Sequence, residues 1–255
     1  MLSSLLLYLP LGLLAGLLSG VLGIGGGLVF SPLLLLAGLD PHQALATSTL
    51  AIVPTTLGGT WAHLRNRSLP WHGGLAIVLG AGIGAGLFSQ VGPMLHGWML
   101  LAMQALMYGG LSLSFRSSSA QAAIDTPKLN MAGLAATGMV AGMSIGLLGL
   151  GGGLVMVPLM VQLMLVPIHL AIRFSTLAVL TSASIASTTF LLDGRALLPI
   201  GLALGATAAV AANWSAARLD RISDTQLTWL LRALTLLLAL DSARRALALL
   251  LTGPG

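Results

Sequence analysis

The sequence consists of ten apolar segments that alternate with short polar or glycine-rich breaks. Eight segments approach the roughly 20 residues that an α-helix needs to cross a bilayer, and two are clearly shorter. The pattern predicts an all-α polytopic membrane protein with about eight transmembrane helices plus short broken or re-entrant segments. The segments are about 5–22, 26–39, 43–63, 73–92 and 95–115, followed by 131–148, 152–166, 169–192, 196–217 and 226–251.

The second half of the chain repeats the first. Residues 138–159 are identical to residues 12–33 at 13 of 22 positions, and the glycines and a proline recur in register. Low complexity would align some leucines and glycines, but it would not also align the prolines. We therefore predict a first transmembrane repeat over 1–115 and a second over 131–255, joined by the polar, cytoplasmic linker 116–130.

The two short segments leave two topologies open. If each returns to the membrane face from which the preceding segment started, each repeat crosses an odd number of times and the repeats are inverted. If each pair forms one broken helix that crosses once, the repeats are parallel. The positive-inside rule does not decide, because both arrangements place seven Lys and Arg residues on one face. We favour inverted repeats, since short glycine-interrupted segments at matching positions are typical of such transporters.

The composition excludes several classes of protein. Apolar residues make up 56% of the chain and charged residues 7%, with a mean hydropathy of +0.99, so most of the surface must face lipid. The sequence lacks cysteine, which excludes disulfides and thiolate metal sites, and it lacks glutamate. A proton pump built on a carboxylate within the membrane is therefore disfavoured. The net charge of +5 is scattered over loops, where it directs topology rather than nucleic-acid binding.

Three consecutive glycines begin the short segment of each repeat. Each glycine costs about 1 kcal/mol relative to alanine in a helix interior, so the clusters are expected to separate two helices. The half-helix that follows would direct its free N–H groups and positive dipole end at a midplane site, which suits an anion. The clusters are Gly25, Gly26 and Gly27, and Gly151, Gly152 and Gly153. Close packing is their alternative role.

Two further glycine stripes precede these clusters and have the spacing of a helix-packing face. Small residues repeated every four positions let two membrane helices approach closely. We therefore assign the stripes to helix packing, and they also permit a homodimer. They consist of Gly12, Gly16 and Gly20, and of Gly138, Gly142 and Gly146.

The motif GxGGGxxxxP occurs in both repeats and is followed in the first by Ala46-Thr47-Ser48. In these features the chain resembles the TauE/SafE family, the sulfite exporter and toluene sulfonate uptake permease-like membrane proteins, over nearly its whole length. The resemblance implies a bacterial inner-membrane permease for small anions, often sulfur-containing oxyanions or sulfonates, with no enzymatic activity. The second repeat departs from the pattern, because Arg173-Phe174-Ser175 adds a cation beside the expected site.

Polar side chains after the glycine breaks complete the predicted substrate site. The hydroxyls could line an anion path or bond back to carbonyls of their own helix. Arg173 could bind an oxyanion or extend to lipid headgroups. His42 and His169 are candidates for proton coupling, with a structural role at a helix start as the alternative. With a repeat offset of 127, Ser48 and Thr49 match Ser175 and Thr176, and His42 matches His169.

These features predict a carrier that moves a small anion by alternating access between its repeats. The sequence has no GxSG or HExxH motif and no His/Asp grouping with metal-ligand spacing, so we expect neither an enzyme nor a metal or cofactor. A non-transport scaffold or assembly factor is the alternative function. The expected partners are the anion and the lipid bilayer, without nucleic acid. His63, at the end of a segment, is expected at the membrane interface.

Overall fold

The computed structural model describes residues 2–66, 71–114, 130–149 and 151–252. Within these ranges the chain forms ten α-helices and two short 3₁₀ turns, and no β-strand. One helix lies in each of the ten predicted segments, which confirms the all-α class. The helices are α1 (Leu2–Leu22), α2 (Gly27–Leu36), α3 (Pro41–Arg65), α4 (Trp71–Phe88), α5 (Gly97–Ser114), α6 (Met131–Leu148), α7 (Gly153–Leu163), α8 (Ile168–Leu192), α9 (Leu198–Ala216) and α10 (Asp224–Thr252).

The helices α6–α10 repeat one feature of α1–α5, a short second helix followed by a long third helix. The short helices α2 and α7 have 10 and 11 residues, and the helices α3 and α8 that follow them have 25 residues each. A 3₁₀ turn precedes both α5 and α10. The predicted linker 116–130 lies outside the described residues except for Asn130, whose side chain accepts hydrogen bonds from the N–H groups of Ala132 and Gly133 and so caps α6.

Glycine stripes join helices of one half to helices of the other. The first helix of each half packs along the fourth helix of the other half, so that α1 contacts α9 and α6 contacts α4. A Cβ atom added to Gly16 would overlap the carbonyl oxygen of Ala208, and one added to Gly142 would overlap that of Ala81. Only glycine allows the backbones to approach this closely, which confirms the packing role predicted for both stripes.

The contacts define the directions in which neighbouring helices run. Gly80 lies against Ala135 and Gly84 lies against Met139, so α4 and α6 run in the same direction. The same register of contacts makes α9 parallel to both α1 and α3, and makes α4 parallel to α8. The helices therefore fall into two groups of parallel helices, one with α1, α3 and α9 and the other with α4, α6 and α8.

The two groups meet along α3 and α8, the repeat-equivalent central helices. Gly59, near the end of α3, lies against Thr176 near the start of α8. Thr47, near the start of α3, accepts a hydrogen bond of 3.0 Å from the N–H group of Leu197, just beyond the end of α8. These contacts show that α3 and α8 are antiparallel.

The outer surface suits a membrane protein. By length and composition, three helices in the described part of the chain can cross a membrane, namely α6, α8 and α9. Large apolar side chains also point outward, since Leu79, Leu106 and Leu237 are 58%, 78% and 65% exposed. Lipid acyl chains accommodate such side chains without the hydration cost that water would impose.

Candidate functional site

The chain between α1 and α2 adopts backbone angles that only glycine takes up readily. Gly23, Gly25 and Gly26 have φ angles of 66°, 78° and 79°, and Gly149, which ends α6, has a φ of 62°. These values lie in the left-handed region, where a Cβ atom would be strained. The glycine clusters therefore break the helices as the sequence predicts, and α2 and α7 start anew after them.

The two glycine breaks contact each other between the halves of the protein. A Cβ atom on Gly153 would overlap the carbonyl oxygen of Gly23, and one on Gly151 would overlap that of Ile24. A Cβ atom on Gly27 would lie 3.0 Å from the backbone nitrogen of Gly151. All of these residues are buried. Backbone therefore packs directly on backbone at the centre, without side chains in between.

Two equivalent serines bridge the breaks. Ser48 on α3 donates a hydrogen bond of 3.3 Å to the carbonyl of Gly149, and Ser175 on α8 donates one of 3.0 Å to the carbonyl of Gly23. Each hydroxyl thus reaches from one half to the glycine break of the other. Both serines are fully buried. The serines predicted as substrate ligands therefore lie beside the glycine clusters.

The neighbouring threonines bond within their own helices. The hydroxyl of Thr49 donates to the carbonyl of Leu45 at 2.8 Å, and that of Thr176 donates to the carbonyl of Ile172 at 2.9 Å. The serine hydroxyls also lie within 2.9 Å of these same two carbonyls. Back-bonding, which was the alternative role for all four hydroxyls, is thus present in this conformation.

The first N–H groups of α2 and α7 are free donors at the centre of the described structure. The first backbone bond of α2 runs from Val29 to Gly26, and that of α7 runs from Leu154 to Gly151. Among the described residues, the N–H groups of Gly27 and Gly153 have no acceptor. Helix starts carry a partial positive charge of about half a unit, so two such starts make this region electropositive.

Arg173 and His169 lie at the start of α8 and contact the segment that leads into α10. Arg173 forms an ion pair with Asp220. His169 contacts the carboxylate of Asp224 through Nδ1 and the carbonyl of Ile222 through Nε2, both at 3.0 Å. Because Arg173 and Ser175 are two residues apart on a helix, their side chains point in nearly opposite directions. The structure thus separates Arg173 from the serine bridge.

His63 belongs to the same group of polar residues, although it was expected at the membrane interface. It is only 2% exposed, and the charges of Arg173 and Asp220 both act on it. The sequence contains a signal for this group, because His63 and Arg173 depart from the repeat symmetry. Their equivalents in the other repeat are Phe190 and Ala46. We call His63, His169, Arg173, Asp220 and Asp224 the Arg173 cluster.

The other proton-coupling candidate, His42, lies in the first turn of α3. Its backbone N–H donates to the carboxylate of Asp40 at 2.9 Å, which caps the helix. Because α3 and α8 are antiparallel, His42 and the Arg173 cluster lie at opposite ends of the molecule. In the part of the chain that the structure describes, no three His, Cys, Asp or Glu residues are grouped closely enough to hold a metal ion.

The sequence matches several known proteins. A family model described as "Sulfite exporter TauE/SafE" matches residues 8–242. The chain is 26% identical over 220 residues to the probable membrane transporter protein YunE of Bacillus subtilis, a match that covers 75% of this chain and 80% of that protein. It is 31% identical over 193 residues to a probable membrane transporter protein of Xylella fastidiosa, covering 73% and 74% of the two chains.

A shorter match connects the chain to a plant protein. It is 47% identical over 47 residues to the sulfite exporter TauE/SafE family protein 6 of Arabidopsis thaliana, covering 18% of this chain and 11% of that protein. No solved structure matches the chain. The family model nevertheless covers nearly the whole chain, including both glycine breaks and the helices that carry the serine bridge. The chain therefore belongs to the sulfite exporter TauE/SafE family of membrane transporters.

Proposed function

We propose that the protein is a multi-pass permease of the bacterial inner membrane that moves a small anion, a sulfur-containing oxyanion or an organosulfonate, by alternating access. The family description and the names of the relatives support a transporter, and the word sulfite in the family description supports the substrate class. The observation that carries the proposal is the meeting of two glycine breaks at the starts of α2 and α7.

An oxyanion suits this centre because it needs hydrogen-bond donors and little else. The N–H groups at Gly27 and Gly153 are free donors at two positive helix ends. The hydroxyls of Ser48 and Ser175 can turn from carbonyls to the anion at the cost of one modest hydrogen bond each. Binding at backbone N–H groups avoids a buried lysine, which would hold the anion too tightly for release. The full set of proposed ligands is Gly25, Gly26, Gly27, Ser48, Thr49, Gly151, Gly152, Gly153, Arg173, Ser175 and Thr176.

Arg173 would bind the anion at the entrance of the path rather than at its centre. Its guanidinium group lies beside Asp220 and is mostly buried, with 17% of the side chain exposed. An incoming oxyanion could exchange with the Asp220 carboxylate, because both offer two oxygens to the planar guanidinium group. His42 and His169 are retained as proton-coupling candidates at opposite ends of the path.

We further propose that the repeats are inverted and that eight helices cross the membrane. The antiparallel arrangement of α3 and α8 supports inversion, because these helices occupy equivalent places in the two repeats. The helices α2 and α7, with 10 and 11 residues, are too short for a span, so they would begin near the midplane, at the glycine breaks. The crossing helices would then be α1, α3, α4 and α5, and α6, α8, α9 and α10.

Alternating access requires two bodies that rock against each other. The group of α1, α3 and α9 and the group of α4, α6 and α8 are suitable bodies, since glycine contacts hold α1 to α9 and α4 to α6. Each body contains helices from both repeats, so the moving units would differ from the two halves of the sequence. The antiparallel pair α3 and α8, which carries the two bridging serines, would form the surface between them.

The test combines ligand-induced stability with transport. A ligand that binds only the folded state raises its stability, by about 2.7 kcal/mol at 100 times Kd. The purified protein would be heated with sulfite, sulfate, thiosulfate, a sulfonate, acetate or chloride, and flux of the stabilising anion into liposomes would then be measured. We expect stabilisation by one sulfur oxyanion or sulfonate, together with flux of that anion.

A matched pair of glycine variants locates the site. Gly27→Ala should abolish the stabilisation, because its Cβ atom would lie 2.5 Å from Cδ1 of Ile52 and 3.0 Å from the backbone nitrogen of Gly151, in the contact between the two breaks. Gly109→Ala is the control, since a Cβ atom there has no neighbour within 4 Å. Equal responses of the two variants would contradict the site. Absence of flux for every anion would instead favour the alternative function, a membrane scaffold or assembly factor.

A further inference from the structure

A small polar cavity lies between α2, α5 and α10. It offers about 10 Å³ of room for the centre of a water molecule, and one water needs about 10–15 Å³ by this measure. Five polar side chains line it, together with Leu28, Pro32, Leu35 and Leu238. The polar ones are Ser31, Gln104, Tyr108, Asp241 and Ser242.

Ser31 lines this cavity with a hydroxyl whose hydrogen bonding is unsatisfied among the described residues. It is 1% exposed, and its hydroxyl has no hydrogen-bond partner among the described residues. Gln104, by contrast, accepts a bond of 3.4 Å from Ser242 and shares another with Tyr108. A buried hydroxyl without a partner destabilises the fold, so native structures almost always satisfy it, often with ordered water.

Asp241 supplies a hydrogen-bond acceptor to the same cavity. Its carboxylate accepts a bond of 2.8 Å from Arg245 and a longer one of 3.5 Å from Arg244. A carboxylate has about four lone-pair positions, so two acceptor positions stay available to a ligand in the cavity. The negative charge of Asp241 also disfavours an anion in this place.

We infer that the cavity binds one water molecule, which accepts a hydrogen bond from the hydroxyl of Ser31 and donates one to the carboxylate of Asp241. A sodium ion has a suitable size, but it would leave the Ser31 proton without an acceptor. Arg245 also already balances the charge of Asp241, so a cation would add an uncompensated charge. Water is neutral and both donates and accepts hydrogen bonds, so it satisfies the hydroxyl of Ser31 and the carboxylate of Asp241.

The water site joins the short helix α2 of the first repeat to α10 of the second repeat. The repeat equivalent of Ser31 is Val157, and that of Gln104 is Leu231, so α7 has no such polar anchor at these positions. The water site is separate from the proposed substrate ligands and does not depend on which solute the protein carries.

The sign of one stability change tests the inference. Ser31→Ala removes one partner of the bound water, so we expect the melting temperature of the purified full-length protein to fall by a few degrees. If the hydroxyl were truly unsatisfied, alanine would remove an unfavourable group, and the melting temperature would stay the same or rise. That result would overturn the water site.

Ser187→Ala is the matched control. Ser187 lies in the interior of α8, is 3% exposed, and also has no hydroxyl partner among the described residues, but it does not line the cavity. Its replacement should not lower the melting temperature. Both variants would be measured in sodium chloride and in choline chloride. An Ser31→Ala effect that appears only with sodium would identify a sodium ion as the ligand and would refute the assignment to water.

Discussion

Ser175→Ala tests the hydrogen bonds that join the two glycine breaks. Its hydroxyl proton is shared between the carbonyl of Gly23 at 3.0 Å and that of Ile172 at 2.8 Å. Ile172 keeps the hydroxyl of Thr176 as a partner, so the main loss is the bond between the halves. Such a bond contributes about 1 kcal/mol in soluble proteins and about 0.6 kcal/mol on average between membrane helices. We therefore expect a loss of about 0.6–1 kcal/mol.

The equivalent variant Ser48→Ala should lose less, because its bond to Gly149 is 3.3 Å long. For a chain of this size, 1 kcal/mol corresponds to about 2–4 °C in melting temperature. Ser184→Ala is the control, since among the described residues the hydroxyl of Ser184 bonds to Leu180 alone, in its own helix. The three variants would be compared by thermal unfolding in one detergent. Equal melting temperatures for Ser175→Ala and Ser184→Ala would refute the reasoning.

Three further variants probe packing, capping and the polar path. Gly142→Ala should lower the melting temperature by several degrees, because its Cβ atom would overlap a backbone carbonyl and overpacking costs about 1–3 kcal/mol. A change no larger than that of Gly109→Ala would contradict the close packing of α4 and α6. Thr47→Val should lower it by about 2–4 °C, as measured by thermal unfolding, because the N–H group of Leu197 loses its acceptor. Arg173→Ala should weaken anion-induced stabilisation more than Arg232→Ala, and equal, small effects would remove Arg173 from the proposed site.

Much of the helical pattern could be predicted from the sequence because the bilayer restricts the choices. A segment that enters lipid must satisfy its backbone internally, so long apolar runs form helices. The short helices α2 and α7 could be anticipated for the same reason, since glycine clusters break the runs at equivalent places. The directions of the helices could not be derived, because counts of Lys and Arg tied and only contacts such as Gly80 with Ala135 define them.

The candidate site could be predicted from the sequence where its residues recur in both repeats. The glycines and the serines recur in both halves, and the structure brings Gly23, Gly149, Ser48 and Ser175 together. The surroundings of Arg173 could not be predicted, because its partner Asp220 comes from a 3₁₀ turn 47 residues away. Such a pairing depends on how α8 packs relative to the start of α10, which no local pattern encodes.

The departures from repeat symmetry bear on which of the two access states is favoured. In a carrier with identical inverted repeats, the two access states have the same structure with the repeats exchanged, so only the surroundings separate their free energies. The Arg173 cluster ties α8 to the start of α10 at one end of the molecule. At the equivalent position the first repeat has Ala46, and Arg195 at the other end pairs with Asp193 on its own segment.

If, in the proposed mechanism, α8 moves relative to the start of α10, opening this end breaks polar contacts that have no counterpart at the repeat-equivalent positions among the described residues. The aspartates of these pairs are largely exposed, 68% for Asp220 and 73% for Asp224, so solvent screens them. Each such pair is worth about 0.2–1 kcal/mol, and a difference of 1 kcal/mol changes a population ratio about fivefold. Under the proposed mechanism, the state closed at this end is favoured by a few-fold. Substrate binding can overcome a bias of this size, so it is compatible with turnover.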